Sequence, residues 1–188
     1  DMLPLFGGSE TKAGDLKKLI ADELGVDVET IYGTDLYLYN RMEPSIWGAN
    51  EEFISCPQLD DVQCAYTSLQ GFLKGANKQS INVFACFDNE EVGSGTKQGA
   101  GSTFLYDAMR RINNALGKGE EEYYRALASS FMLSADNAHA VHPNHPAKTD
   151  VNNCVYMNEG IVVKSNAGQK YTSDAVSIAV FKGLCKKA

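Results

Sequence analysis

A run of β-branched and aromatic residues, INVFACF at positions 81–87, stops abruptly at Asp88-Asn89-Glu90-Glu91. This junction constrains the chain more than any other feature. The run has the length and composition of a buried strand. Two adjacent carboxylates at the rim of a core repel one another, and a divalent cation compensates such a pair directly. Solvated loop charge is the plainer alternative for Glu90-Glu91 taken alone. FMLSA (131–135) ends in a similar way, at Asp136-Asn137-Ala138-His139. Asp60-Asp61 opens a third acidic cluster, where favourable charge at a helix N-terminus is the simpler account. Clusters at several element ends together point to a site, because ligands in open α/β sheets collect beyond the carboxyl ends of strands.

The intervening segments supply helices. KAGDLKKLIADEL (12–24) places Leu16, Leu19, Ile20 and Leu24 at helical spacing before Gly25. Helices are also expected over 60–75, 104–116, about 120–129 and 171–187. Strands are expected at 35–40, around Phe53 and Ile54, at 81–87, at 131–135 and at 160–166. Strands alternating with helices predict an α/β fold with a largely parallel sheet. The opening third reads as an appendage, and the character of the chain changes near Asp60.

Composition narrows the function. The chain has 188 residues, with 44% hydrophobic and 22% charged residues and a net charge of -7. Such an acidic balance argues against broad nucleic-acid or anionic-membrane binding, which needs a basic face. No apolar run approaches the ~20 residues that span a bilayer, and the first residues lack the pattern of a signal peptide. The first residue is not Met, so the chain is expected to be a piece of something longer. Cys56, Cys64, Cys86, Cys154 and Cys185 are scattered and include no Cys-x-x-Cys pair. They fit reduced, packed thiols in a cytoplasmic compartment.

The carboxylates suit metal-assisted hydrolysis. Such a site needs carboxylate or imidazole ligands, an open position for water, and a base beside that water. Neighbouring residues on an extended segment point in different directions, so one glutamate can bind metal while the other takes a proton. Two metals ~3.5–4 Å apart need a bridging ligand. GSGTKQGAG (93–101) looks like a phosphate loop, but Lys97 is followed by Gln98, so the Gly-Lys-Ser/Thr element is missing. It reads as a flexible loop passing close to the site.

Three blocks resemble the M18 metallopeptidases, the aspartyl aminopeptidase group: QLDDVQCAYTSLQGFL (58–73), FDNEEVGSGTKQGAGSTFL (87–105), and SADNAHAVHPNHPAK (134–148) continuing to GIVVKSNAGQKYTSDAVS (160–177). The resemblance spans roughly residues 35–187. It implies that Asp60 bridges two zinc ions, Glu90 is the general base, and Glu91 and Asp136 each bind one zinc. Cobalt and manganese are the alternative metals. Lys164 matches a lysine that contacts the substrate's acidic side chain, against the plainer reading of a solvated lysine. His139 and His142 match histidines near the family's site, neither of them a primary ligand, with His139 placed toward the substrate; the plainer reading of either is an ordinary hydrogen-bonded histidine. Gln58, Asp61, Asn137 and His145 depart from the usual residues. The family's His-x-Asp block and its C-terminal zinc-binding histidine have no counterpart here.

The resemblance therefore implies a zinc-peptidase-like three-layer α/β fold, a sheet with helices on both faces, incomplete in this chain. The end of a β-rich insertion domain (1–50) precedes part of the catalytic domain (51–188). The implied activity is removal of N-terminal acidic residues from peptides by a closed homo-oligomer, dimer-based and up to a dodecamer. The fragment alone is expected to be inactive. A neutral-residue aminopeptidase and a non-catalytic assembly subunit are the rival expectations.

Overall fold

The computed structural model describes residues 3–188. The chain divides into two compact units, Asp1–Glu43 and Pro44–Ala188. In the first unit, α1 (Asp15–Leu24) follows the expected amphipathic pattern and buries Ala21. It ends where Gly25 takes the left-handed region at φ 65°. The Gly25 N–H then reaches Asp22 O at 3.3 Å and the Val26 N–H reaches Ala21 O at 3.0 Å. Both bonds satisfy carbonyls that the helix end would leave open, which is why glycine suits this position. Residues 35–40 form no strand.

The second unit begins with a short antiparallel ladder, β1 (Ser45–Trp47) against β2 (Phe53–Ser55). The cross-strand pair Trp47 and Phe53 stacks with ring centroids 4.7 Å apart, and Trp47 Nε1 donates to Ser55 Oγ at 2.8 Å. Such pairs are what stabilise a small sheet. This ladder leads directly into α2 (Leu59–Lys74). Next come α3 (Phe104–Ala115), α4 (Glu120–Ala128) and α5 (Ala175–Cys185). Tyr123 on α4 is buried edge-on against Tyr106 of α3 at 5.9 Å, and Arg110 pairs with Glu120 across the same junction. None of these helices is long and apolar enough to cross a membrane.

The expected parallel sheet is not formed among the described residues. Segments 81–87, 131–135 and 160–166 carry no ladder, and the one sheet is the two-stranded β1–β2 pair. Among the described residues the regular structure is therefore a set of helices and one small antiparallel sheet. The physical reason lies in the nature of the ladder. A helix bonds to itself, whereas a strand in a parallel sheet needs neighbours in register and both faces covered. Here those apolar segments stay open: Met132 is 72% exposed and Ile161 76%. Ala21 and Tyr123 are the buried hydrophobic residues among those described.

Helix α5 starts later than the sequence suggested because Asp174 caps it. Its carboxylate accepts from the Ser177 N–H and from the Ser177 hydroxyl, each at 2.7 Å. These bonds favour the ionised form and hold the Asp174 carboxyl below its ordinary value of 3.8. A lowered folded value means the stabilisation is present above 3.8 and is lost as pH falls through the folded value. Asp174→Ala is expected to reduce the far-ultraviolet helical signal at pH 5–7 relative to wild type. The difference should fade as pH drops through the lowered folded value, where both chains lack the ionised cap.

Candidate metal centre

The centre is built at the start of α2. Gln58 turns the chain with a left-handed φ of 66°. Asp60 and Asp61 follow in non-helical conformations, φ/ψ -87°/111° and -119°/21°, before regular helix begins. The peptide bond between them is cis. The simple helix-dipole account of this doublet is thus incomplete, since neither residue occupies a regular first turn. Instead, one carboxylate oxygen each from Asp60, Asp61 and Asp136 lie within 4.8 Å of one another. Asp61 Oδ1 is buried with no hydrogen-bond partner, which is costly unless something positive faces it.

The segment after residue 135 is tied to α2 by Asn137. Its side-chain oxygen accepts from Cys64 Sγ at 2.8 Å, and its amide donates to Gln63 Oε1 at 3.3 Å. Lys164 fastens the other side. Its ammonium pairs with Asp136 Oδ2 and donates to the Asn137 carbonyl at 2.6 Å. Burial alone would lower the Lys164 value, but the hydrogen bond and charge of Asp136 raise it overall.

The Glu90-Glu91 loop is shaped by its glycines. The Gly101 N–H bonds Ser94 O at 2.8 Å, folding the loop upon itself. A Cβ on Gly99 would lie 2.4 Å from that same Ser94 oxygen, so no other residue fits there without rearrangement. At the loop's base, the Asp88 N–H reaches Gln98 O at 3.1 Å. Glu90 and Glu91 are exposed and stand outside the close triplet. They share its field nonetheless. The Glu90 carboxyl is raised above its ordinary value, first by Glu91, then by local desolvation, then by Asp136, Asp60 and Asp61. The Asp60 carboxyl is raised first by burial, then by Asp136, Asp61 and Glu91. Cys64 is pushed up to about 11 by burial and by Asp61 beside it.

The arrangement accumulates five carboxylates against one ammonium. Its donor set is all oxygen, acceptable to a hard or borderline divalent cation. The close triplet and the orphaned Asp61 oxygen both fit such an ion. Among the predicted residues, the fold brings Asp60, Asp136 and Lys164 into one cluster, with Glu90 and Glu91 at its edge. His139 is exposed and makes no hydrogen bond or ion pair among the described residues. Asp61 enters the cluster although the sequence offers for it only favourable charge at a helix N-terminus. Its one signal was adjacency to Asp60.

Comparison with known proteins decides the family. Residues 7–188 match the model described as aminopeptidase I zinc metalloprotease (M18). The chain belongs to the M18 metallopeptidase family. Its relatives are named as aminopeptidases, hydrolases of peptide N-termini. It is 47% identical over 189 residues to a probable M18 family aminopeptidase 2 of Clostridium acetobutylicum, covering 99% of this chain and 44% of that one. It is 38% identical to an aspartyl aminopeptidase of Caenorhabditis elegans, covering 90% of this chain and 37% of the relative. The chain thus spans less than half the length of the curated relatives it matches.

Solved structures agree. One chain in the cryo-EM structure of the Ape4 and Nbr1 complex matches with TM-score 0.77 and 34% identity, over 92% of this M18 chain and 35% of that one. The Saccharomyces cerevisiae mApe1 dodecamer matches with TM-score 0.72 and 28% identity, over 92% of this chain and 41% of that one. The path of the backbone is therefore that of the family, even where strand ladders are not closed.

Proposed function

We propose that this chain carries the acidic half of a dinuclear zinc aminopeptidase centre that removes N-terminal acidic residues from peptides. The observation that carries the reading is the convergence of Asp60, Asp61 and Asp136 within 4.8 Å, with Lys164 paired to Asp136 and Glu91 adding its charge to Asp60. In this reading Asp60, Glu91 and Asp136 would hold the zinc, with Asp60 as the shared ligand and Glu91 and Asp136 as the separate ones. Zinc bound there supplies Lewis-acid polarisation of the scissile carbonyl and a water of lowered pKa. The Glu90 carboxylate takes a proton from the attacking water and returns it to the leaving amine. His139 lines the approach of the peptide.

The imidazole ligands usual for zinc are assigned to parts of the family's length that this chain does not span, as are the partners of the open strands 81–87, 131–135 and 160–166. The three-layer sheet would close there, with residues 1–50 ending the insertion domain. The chain by itself is then inactive. A homo-oligomer in the cytoplasm completes the proposal, supported by the dodecameric relative and by five free cysteines.

Metal analysis and hydrolysis of aspartyl and leucyl amides by the full-length protein test the reading. About two zinc per chain and preference for the aspartyl amide are expected. Metal-free protein without hydrolysis would instead favour an assembly subunit. Lys164→Met should lower kcat/KM for the aspartyl amide about 10–100-fold, the size of a lost charged hydrogen bond. The leucyl amide should change less than about threefold. Equal loss on both substrates would remove Lys164 from acid recognition. A neutral preference has one observation in its favour, since Lys164 is already engaged by Asp136.

A further inference from the structure

The Lys164 ammonium holds Asp136 Oδ2, an oxygen of the very triplet suited to a divalent cation, and also the carbonyl of Asn137 at 2.6 Å. One lysine cannot both neutralise Asp136 and meet an incoming substrate carboxylate with the same geometry. We propose that Lys164 is an exchangeable internal counter-ion: it holds Asp136 until a divalent cation takes that carboxylate, and the exchange releases the ammonium toward the substrate. This rests on the metal-centre reading and extends it. The metal would then control the availability of the recognition residue as well as the chemistry.

Charge and exposure support exchange over a permanent bridge. Asp60, Asp61 and Asp136 converge while Lys164 pairs with Asp136 alone, so the triplet keeps a demand for positive charge after Lys164 is paired. A doubly charged ion answers that demand better at the same distance. The Lys164 and Asp136 side chains are 24% and 44% exposed. Pairs so open to solvent are weak, so the ammonium is displaced at small cost. The Lys164 stem has four rotatable carbons, which lets its head move while the backbone stays in place. Asn137 remains fastened to α2 through Cys64 and Gln63, so the departure of Lys164 does not free the loop that carries Asp136.

The test uses the intact full-length protein and zinc alone. Brief acetylation followed by mass spectrometry reads how available each lysine is. Lys164 labelling should rise severalfold on adding zinc, while Lys97 and Lys148 stay constant. Asp136→Asn should label strongly with or without zinc. In equilibrium titrations, Lys164→Met should bind zinc roughly two- to fivefold more tightly than wild type, as expected for removing a weak competing pair. Lys148→Met should not, which separates local exchange from a general change of charge. Zinc binding with unchanged Lys164 labelling, or with equal affinity in Lys164→Met, overturns the exchange and leaves the metal centre intact. Failure of both proteins to bind zinc overturns the metal centre and the exchange together.

Discussion

Glu90→Gln in the full-length enzyme is expected to lower kcat by roughly 10²–10⁴-fold while zinc content stays at the wild-type level. Glutamine keeps the shape and polarity of the side chain and removes its ability to take a proton. Glu90 stands outside the close triplet, so the loss should appear in turnover and leave the metal in place. Zinc stoichiometry beside steady-state hydrolysis of an aspartyl amide measures both quantities. Loss of zinc together with activity would make Glu90 a ligand and end its assignment as base.

Its titration gives a second reading. Glu91 first, then local desolvation and the aspartates raise the Glu90 carboxyl. A base with a raised value becomes protonated at a higher pH, so it stops accepting protons earlier as pH falls. Adding zinc offsets the neighbouring anions and should move the Glu90 titration to lower pH. Carboxyl NMR titration with and without zinc follows this shift.

Asp60→Asn should have the opposite signature: zinc binding collapses while the metal-free chain gains stability. Burial raises the Asp60 carboxyl first, and Asp136, Asp61 and Glu91 raise it further. A carboxyl whose folded value lies above its unfolded value opposes folding when ionised. Stability at this group therefore rises as pH falls through the folded value and is reduced above it. Neutral asparagine removes that repulsion at all pH. The expected rise in Tm at neutral pH is about 1–3 °C, small because the group is solvent-accessible. Zinc affinity should fall by more than the ~10–100-fold that loss of an outer partner costs. Calorimetry without zinc and titration with it check the two halves. A drop in metal-free Tm would show that Asp60 serves the fold rather than a cation.

These two variants separate roles that the sequence could name but not place. The acidic clusters were legible because each interrupts an apolar run or begins a helix. The long helices were legible for a local reason: α1, α2, α3 and α4 draw their hydrogen bonds and amphipathic spacing from residues three and four apart. The start of α5 was read early because Asp174, with Ser177, makes a stronger boundary than the preceding Thr and Ser.

What remained hidden depends on distant partners. The absence of ladders at 81–87, 131–135 and 160–166 among the described residues could not be read from composition, because a ladder exists only when another segment lies alongside in register. The same holds within the site. Asp61 joins Asp60 and Asp136 only because the chain leaves helical geometry at the start of α2. Lys164 meets Asp136 from 28 residues away, and Asn137 reaches Cys64 across 73. The sequence by itself determined which residue types carry the chemistry, which segments are helical, and which family's blocks they resemble. Only the tertiary structure decided that the triplet converges and that its counter-ion is Lys164, since charge balance in a cluster depends on distances that no local pattern encodes.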